Sequence, residues 1–534
     1  MTKKIKDLRF GSIDAQDYFH SGAGDIYTTL FQRSFLEGEH LQKLLDPKTI
    51  FYMGEKGTGK TAYATYTCLF LRDKYKAQSI FFSAEDFERF SEIAENLKLE
   101  RTQFTTLWTF VLLSTFLAKA SEFIDFDPDG RISALFKATR DVILIDRIDR
   151  ASQAIELAGQ VNALFDSYLQ YSQEKLNKAN VDRALQSFKL SRIVDQCIEE
   201  LRTIPQSSQF TLFIDSIDVR PEGLEYPSYL EVVSALCNSV WLLNVTQLWR
   251  SKGQFKIVVL LRPDIFESLR FQNKGTKLDT YSHVIDWTTR YTNYRSSEIF
   301  KLADRLLAVQ QSTEPKGQPG DTFDNYFPFK MASRRRDTPD DPFILFLRHS
   351  FYKPRDIIKY LSLMAAAYSK DERGERKHFD DDVFKDKDIR KSFSDYLLQE
   401  IEDQTSFYYS DAEWDQFKAF NDGFLSASVS RKNGDFSYDD FVGAHDRFVK
   451  YNEKNELDTP PSFRTADILL QFMFDLNIIG YKVVRTGKNG EEMTFTNYSF
   501  RQRSMANLRP KVPTGGNYVM HYGLAKALFT DFVG

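Results

Sequence analysis

The sequence predicts an α/β chain: a parallel sheet covered by helices, then a helical lid, then a small C-terminal domain. Three observations predict it. A short apolar run, Thr49–Met53 (TIFYM), enters a glycine-rich loop and then a helical pattern. Two further apolar runs, Phe210–Ile214 and Lys256–Leu261, are spaced by helical stretches, the rhythm of a parallel sheet with both faces covered. Near the end, an amphipathic helix passes directly into a hairpin pattern.

The bulk properties suit this class. The 534 residues are enough for about two to four domains. Hydrophobic residues make up 42% and charged residues 27%, and 47 Phe with 26 Tyr argue for packed cores over long disorder. The net charge of -4 excludes a polycation, so any nucleic-acid contact must come from a local patch. Cys68, Cys197 and Cys237 are far apart, lack metal-ligand spacing and sit in apolar helical patterns; reduced core thiols in a cytoplasmic protein are expected. The start, MTKKIKDLRF, is basic but lacks the apolar stretch of a signal peptide. The most apolar run, Leu107–Ala118, is too short for a bilayer, which takes roughly 20 residues, so no membrane partner is expected.

Taken in order, residues 1–48 alternate polar and apolar positions and lead into the first strand. Residues 49–310 form the sheet-bearing core, with Ser79–Ser83 as a second strand, Thr105–Lys119 as a buried helix and a helical insertion over about 120–205. Val284–Ile285 is the tip of a candidate fifth strand. Residues 311–341 are rich in Pro, Gly, Asp and Arg and read as a flexible insert; the Arg334–Arg336 triplet in it reads as a solvated loop. With the apolar helical stretch Phe343–Tyr368 and the charged stretch Asp371–Asp388, this makes 311–388 an insert and lid. Residues 389–534 form a helical region ending in the hairpin.

The loop after the first strand is Gly54-Glu55-Lys56-Gly57-Thr58-Gly59-Lys60-Thr61, which fits G-x-x-x-x-G-K-[ST] without substitution. Glycines let successive main-chain N–H groups turn toward a β-phosphate, and the helix start adds its positive dipole end. Lys60 is expected to reach the β- and γ-phosphates, and the Thr61 hydroxyl to ligate magnesium. ATP with magnesium is therefore the expected cofactor pair, and a P-loop NTPase the expected core.

Such a loop also needs a carboxylate at the end of a neighbouring strand. Phe210–Ile214 followed by Asp215 supplies it, with Asp215 serving the magnesium through its water shell. Asp218 is the candidate to polarise an attacking water. The blander reading is that both are turn residues at a strand end. Ser216 stands where many hydrolysing ATPases carry glutamate, so hydrolysis is expected to be slow or to need a partner.

The strand-loop-helix over 49–70, the segment FTLFIDSID and the segment KIVVLLRPDIF together resemble the AAA+/STAND type of P-loop ATPase, in particular origin-recognition-like ATPases and bacterial STAND-like ATPases. The resemblance implies that Arg262, in LLRPD, senses the γ-phosphate. It also implies that Arg355, in Tyr352-Lys353-Pro354-Arg355-Asp356-Ile357-Ile358, does so from the lid. An arginine on a mobile lid couples that phosphate to lid position. The plain alternatives are a strand-end salt bridge for Arg262 and a solvated first-turn residue for Arg355. The region between Ser83 and Phe210 is long for this family.

At the C-terminus, Phe463–Ile479 reads as a helix with Ile468, Leu469, Phe472, Met473 and Leu476 on one face and Gly480 as its stop. Tyr481–Val484 and Met493–Phe495 read as a hairpin around Asn489-Gly490. Helix then hairpin is the outline of a winged helix, a domain that members of the resembled family use on DNA. From Tyr481 onward, Lys482, Arg485, Lys488, Arg501, Arg503, Arg509, Lys511 and Lys526 face only Glu491, Glu492 and Asp531, an excess of five positive charges. Such a patch suits salt-sensitive phosphate contact; winged helices also dock proteins. His521, in an apolar terminal helix pattern, reads as structural.

The expected function is an ATPase acting as a nucleotide-dependent conformational or assembly switch, with a homo-oligomer or an effector subunit as partner. The resemblance to STAND-like proteins implies antiphage defence as its setting. The alternative is an origin-recognition type of ATPase loading onto duplex DNA through its winged helix. A small-molecule kinase ranks last, because a lid arginine and a winged helix have no use there.

Overall fold

The computed structural model describes residues 2–20, 25–96, 101–127, 201–203, 209–221, 223–248, 255–270, 273–311, 318–332, 339–405, 407–408, 411–430, 434–486 and 492–528, with positions 130, 132, 195, 198 and 199. Most of the expected insertion over 120–205, Cys197, the arginine triplet and the Asn489-Gly490 turn lie outside the described residues. The chain divides into two compact units. One comprises Glu39–Glu55 and Lys60–Ile285; the other comprises Met1–Gly38, Lys56–Gly59 and Asp286–Gly534.

Among the described residues, the first unit has five parallel strands: β1 (Phe51–Met53), β2 (Ala77–Phe81), β3 (Phe210–Asp215), β4 (Phe255–Leu261) and β5 (Ser282–Val284). Their order is β2-β3-β4-β1-β5. All seven residues of β4 are buried. Side chains alternate between faces along a strand, so both faces of the sheet are covered. Beta-branched and apolar residues (Ile257, Val258, Val259, Leu260) fill this central strand, which has Val259 opposite Phe51 on one side and Ile214 on the other.

Helices Phe104–Ala120 and Tyr226–Leu242 lock together through polar atoms as well as apolar ones. Trp108 Nε1 donates to the Val232 carbonyl at 3.1 Å, and Ser239 Oγ donates to the Thr105 carbonyl at 2.7 Å. One neighbour relation differs from the sequence reading: β4 lies between β1 and β3, so the acidic strand is next but one to the strand that feeds the loop. Chain order does not encode lateral order when the connections are helical crossovers.

The second unit has an aromatic core in which Phe300, Phe323 and Phe343 meet edge to face at centroid distances of 5.0–5.4 Å. Around it run helices Glu298–Ala308, Pro342–His349, Pro354–Tyr368 and Lys387–Thr405. The single apolar stretch expected over 343–368 is thus two helices, each opened by a proline in its first turn. The N-terminal residues contribute short helices, including Asp17–His20 and Ile26–Ser34.

This unit ends in a winged-helix-like region. Strand β6 (Asp435–Ser437) leads into helix Tyr438–Lys454, started by a capping box between Ser437 and Asp440. Helix Ala466–Asp475 follows, capped by Thr465, and then β7 (Ile479–Thr486), β8 (Glu492–Asn497) and β9 (Asn517–Met520). The antiparallel order is β6-β9-β7-β8.

Three details correct the sequence reading. The helix stops at Asp475, and Asn477, with φ 62°, makes the left-handed exit expected of Gly480. Gly480 instead lies in β7, where a Cβ would come within 2.7 Å of the Tyr498 ring. Ile468 faces outward, while Leu469, Leu470, Met473 and Phe474 are buried. His521 follows β9 in a turn, not in a helix, and packs against Phe351 and Tyr498; burial pushes its imidazole down to about 3.

Candidate functional site

In the sheet-bearing unit, β1 delivers the chain to Gly54, whose N–H bonds the Leu261 carbonyl at 3.1 Å. Lys60 opens the helix Lys60–Phe70. Its ammonium donates to the Gly54 carbonyl at 2.9 Å and the Glu55 carbonyl at 3.3 Å, so it folds back over the loop it follows. Thr61 Oγ1 donates to Asp215 Oδ2 at 2.6 Å. The structure therefore joins the hydroxyl and the carboxylate that the sequence assigns to magnesium, although 154 residues separate them. Asp215 is 5% exposed and takes a second bond from the Ser216 N–H at 2.7 Å. Burial raises its pKa, opposed by the Thr61 hydroxyl and the nearby Lys60 charge. Ser216 has φ 60°, in the left-handed region.

Arg262 follows β4 and is 2% exposed. Its Nε donates to Asp264 Oδ1 at 3.1 Å and a terminal nitrogen reaches Asp264 Oδ2 at 2.5 Å, a bidentate pair within one turn. Asp218 Oδ2 lies 3.9 Å from the same guanidinium. The strand-end salt bridge is thus present, and Asp218 belongs to it.

The tip of the loop, Lys56–Gly59, clusters with the second unit. Gly57 and Gly59 have φ of 84° and 96°, which only glycine adopts without strain. A Cβ on Gly57 would also stand 3.2 Å from Arg355 Cβ and 3.5 Å from Lys353 Cδ. The middle glycine of the motif, Gly57, is therefore required twice, by its backbone and by its neighbours. The Arg355 N–H points at the Gly57 carbonyl at 3.4 Å. Trp287 Nε1 donates to the Thr58 carbonyl at 2.9 Å.

Arg355 is not solvated. Its Nε bonds the Ile13 carbonyl at 3.1 Å, and a terminal nitrogen meets Glu400 Oε2 at 3.0 Å. Lys56 Nζ meets Asp403 Oδ2 at 2.6 Å. Asp356, fully inside, accepts from the Phe351 N–H at 2.8 Å and the Tyr396 hydroxyl at 3.2 Å. Burial pushes its carboxyl up to about 6, resisted by Lys353 and the Phe351 N–H. Glu400, Asp403, Asp356 and Trp287 were not found from sequence. Glu400 and Asp403, two of the three acids in YLLQEIEDQ, look like any helical acids, and only the tertiary fold brings them to the loop tip.

The basic patch is largely consumed inside its own unit. Arg501 lies against Tyr291, Tyr352, Tyr498 and Phe500, and donates to the Tyr291 hydroxyl at 3.0 Å. Arg503 donates to the Asp475 carbonyl, Arg509 pairs with the Asp475 carboxylate, and Lys482 pairs with Asp435. Lys488 lies outside the described residues. Arg485 is exposed on the wing and Lys511 is exposed beyond it.

Cys68 and Cys237 are buried free thiols, raised by burial, Cys68 to about 12. Among the described residues, no group of three or more His, Cys, Asp or Glu is arranged to hold a metal, and no helix is long and apolar enough to cross a membrane.

No protein-family model matches the chain, and no curated protein matches it. Among solved structures, it is similar to the crystal structure of Cdc6p from Pyrobaculum aerophilum. That alignment has 12% identity and a TM-score of 0.25 over 88% of this chain and 93% of that one. A likeness at this level carries no argument. The fold class rests on the chain's own architecture: a helix-flanked parallel sheet of P-loop NTPase type and a separate winged-helix-like region.

Proposed function

We propose that the chain binds ATP with magnesium at Gly54–Thr61 and uses it as a conformational switch. The observation that carries this reading is the 2.6 Å bond between Thr61 and Asp215, which places hydroxyl and carboxylate together at the start of the helix that Lys60 opens. The residues fit the cofactor. Gly57 and Gly59 have left-handed backbone, the kind of turn that lets successive main-chain N–H groups face a phosphate, and Lys60 rests on carbonyls that a phosphate would displace. Thr61 and Asp215 would hold the metal, which supplies charge neutralisation for the phosphates. Asp218 and Arg262 neutralise one another in part, which supports slow or partner-dependent hydrolysis, as does serine at 216. Arg355, against the loop tip, would report the terminal phosphate to the lid helix Pro354–Tyr368. Assembly with further copies or an effector subunit, in an antiphage setting, rests on the family resemblance. Isothermal titration with ATP and magnesium tests binding, and light scattering with ATP, ADP or neither tests the switch. Identical mass and shape in all three conditions would remove it.

A second reading is an ATPase that loads onto duplex DNA. The winged-helix-like region and the exposed Arg485 on its wing favour it. The helix Ala466–Asp475 opposes it, since it carries Asp467 and Asp475 and no basic side chain. Gel shifts at low salt with Arg485→Glu and Lys511→Glu decide. Binding that is unchanged by both, or absent in the parent, rejects DNA contact through this surface.

A further inference from the structure

One helix holds two cations at the loop tip: Lys56 of the loop itself and Arg355 of the helix Pro354–Tyr368 beside it. On Lys387–Thr405, Tyr396, Glu400 and Asp403 fall at spacings of four and three residues, so they share a face. Glu400 takes Arg355 at 3.0 Å, Asp403 takes Lys56 at 2.6 Å, and Tyr396 bonds the buried Asp356 beside them. Gln399 donates to the other oxygen of Asp403 at 3.1 Å. A cavity between these groups is lined by Lys56, Lys353, Asp356, Glu400, Gln404 and Asn477, among others. Three cations (Lys56, Lys353, Arg355) thus sit with three anions (Asp356, Glu400, Asp403). Such a cluster is electrically closed, and offers a polyanion nothing until a carboxylate is moved aside.

We propose that Glu400 and Asp403 form an anionic clasp that competes with the terminal phosphate of the nucleotide for Arg355 and Lys56, so that binding is coupled to displacement of helix Lys387–Thr405. This rests on the nucleotide reading above and names its regulation. The competition is chemically even-handed: a guanidinium accepts a carboxylate or a phosphate in the same planar geometry. A diphosphate lacks the group that reaches the clasp, so the clasp discriminates ATP from ADP. The displaced helix has an outlet. Ser394 donates to the Gly523 carbonyl, and a Cβ on Gly523 would strike Leu397 Cδ1 at 2.8 Å and the His349 carbonyl oxygen at 1.9 Å. The helix therefore cannot shift without moving the segment that follows β9 of the winged-helix-like region. Glu400 is in these terms a positioning residue, acting on nucleotide through Arg355.

The test is equilibrium binding of fluorescent ATP and ADP analogues, with magnesium, to the full chain and to E400Q, D403N, R355A and E400Q/R355A. Hydrogen exchange across 387–405 is measured on the same samples. Glu400→Gln should tighten ATP about tenfold, the scale of one charge-assisted hydrogen bond, with a much smaller change for ADP. The half-exposed Asp403 pair predicts a gain of about two- to threefold. Adding Arg355→Ala should cancel the E400Q gain, and ATP should speed exchange across the helix in the parent but add little in E400Q. Parent binding with E400Q unchanged, an equal gain for ADP, or a gain that survives R355A overturns the clasp alone. No binding by the parent or any variant overturns the nucleotide reading and the clasp together.

Discussion

The two sheets treat their side chains in opposite ways. Every residue of β4, at the centre of the parallel sheet, is buried, whereas the outer half of the β7–β8 wing exposes Val484 at 57%, Met493 at 48% and Phe495 at 43%. In the first, packing over-determines the strands, so that residues at their ends, Gly54, Asp215 and Arg262, are held in one geometry. In the second, an edge strand with open backbone groups and apolar side chains is free to meet something else. The proposed nucleotide switch would draw on both, a stiff platform to hold phosphate and a softer edge to meet a partner.

The largest effect is expected where the platform itself is cut. Leu260→Ala leaves a hole in the fully covered strand and should cost about 2–5 kcal/mol, seen as a lower melting temperature. A change under about 0.5 kcal/mol would mean that the sheet is less closely packed than its burial implies.

Next comes Lys60→Ala, which should weaken ATP about 100-fold or more in a titration, because that ammonium is the charge at the helix start. Parent-like affinity would remove the loop from the account. Asp215→Ala, by contrast, should lower the dependence of binding on magnesium more than the affinity at saturating metal.

The third effect concerns Asp356, whose carboxyl is pushed up to about 6 by burial from an ordinary value near 3.8. The folded state then holds the proton more tightly than the unfolded chain. Stability should therefore fall as pH rises from about 4 to about 6, by roughly 2–3 kcal/mol, and stay low above that. Asp356→Asn should flatten this part of the profile; an unaltered profile places the titration elsewhere.

The smallest effect sharpens the contrast. Phe495→Ser on the wing should change stability by no more than about 0.5 kcal/mol. A large loss would show that the wing is packed, not open.

Legibility followed locality. The loop, the strand before it and the helix after it lie within a few tens of residues, and their chemistry is written in consecutive letters. The hairpin of β7 and β8 is equally local. Asp215 was readable because an apolar strand ending in an acid is itself a local pattern. What lateral contacts decide was not readable. The insertion of β4 between β1 and β3, the pairing of the three-residue β6 with β9, and the approach of Glu400 and Asp403 to the loop tip depend on residues from 45 to 347 positions apart. The charge count at the C-terminus misled for the same reason. It could not show that Arg501 turns inward among tyrosines or that Asp475 serves two arginines. Gly480 looked like a helix stop because glycine serves both stops and close approaches, and only the Tyr498 ring distinguishes them.

The left-handed backbone at Ser216 bears on any attempt to build the acidic residue of hydrolysing ATPases into the proposed nucleotide site. A glutamate in place of the serine would inherit this left-handed main chain, whose strain of about 1 kcal/mol the serine already bears. The direction in which its carboxylate leaves the strand end would be set by that same handedness. Installing a working carboxylate at this position would thus be a two-part alteration, of the residue and of the handedness beneath it.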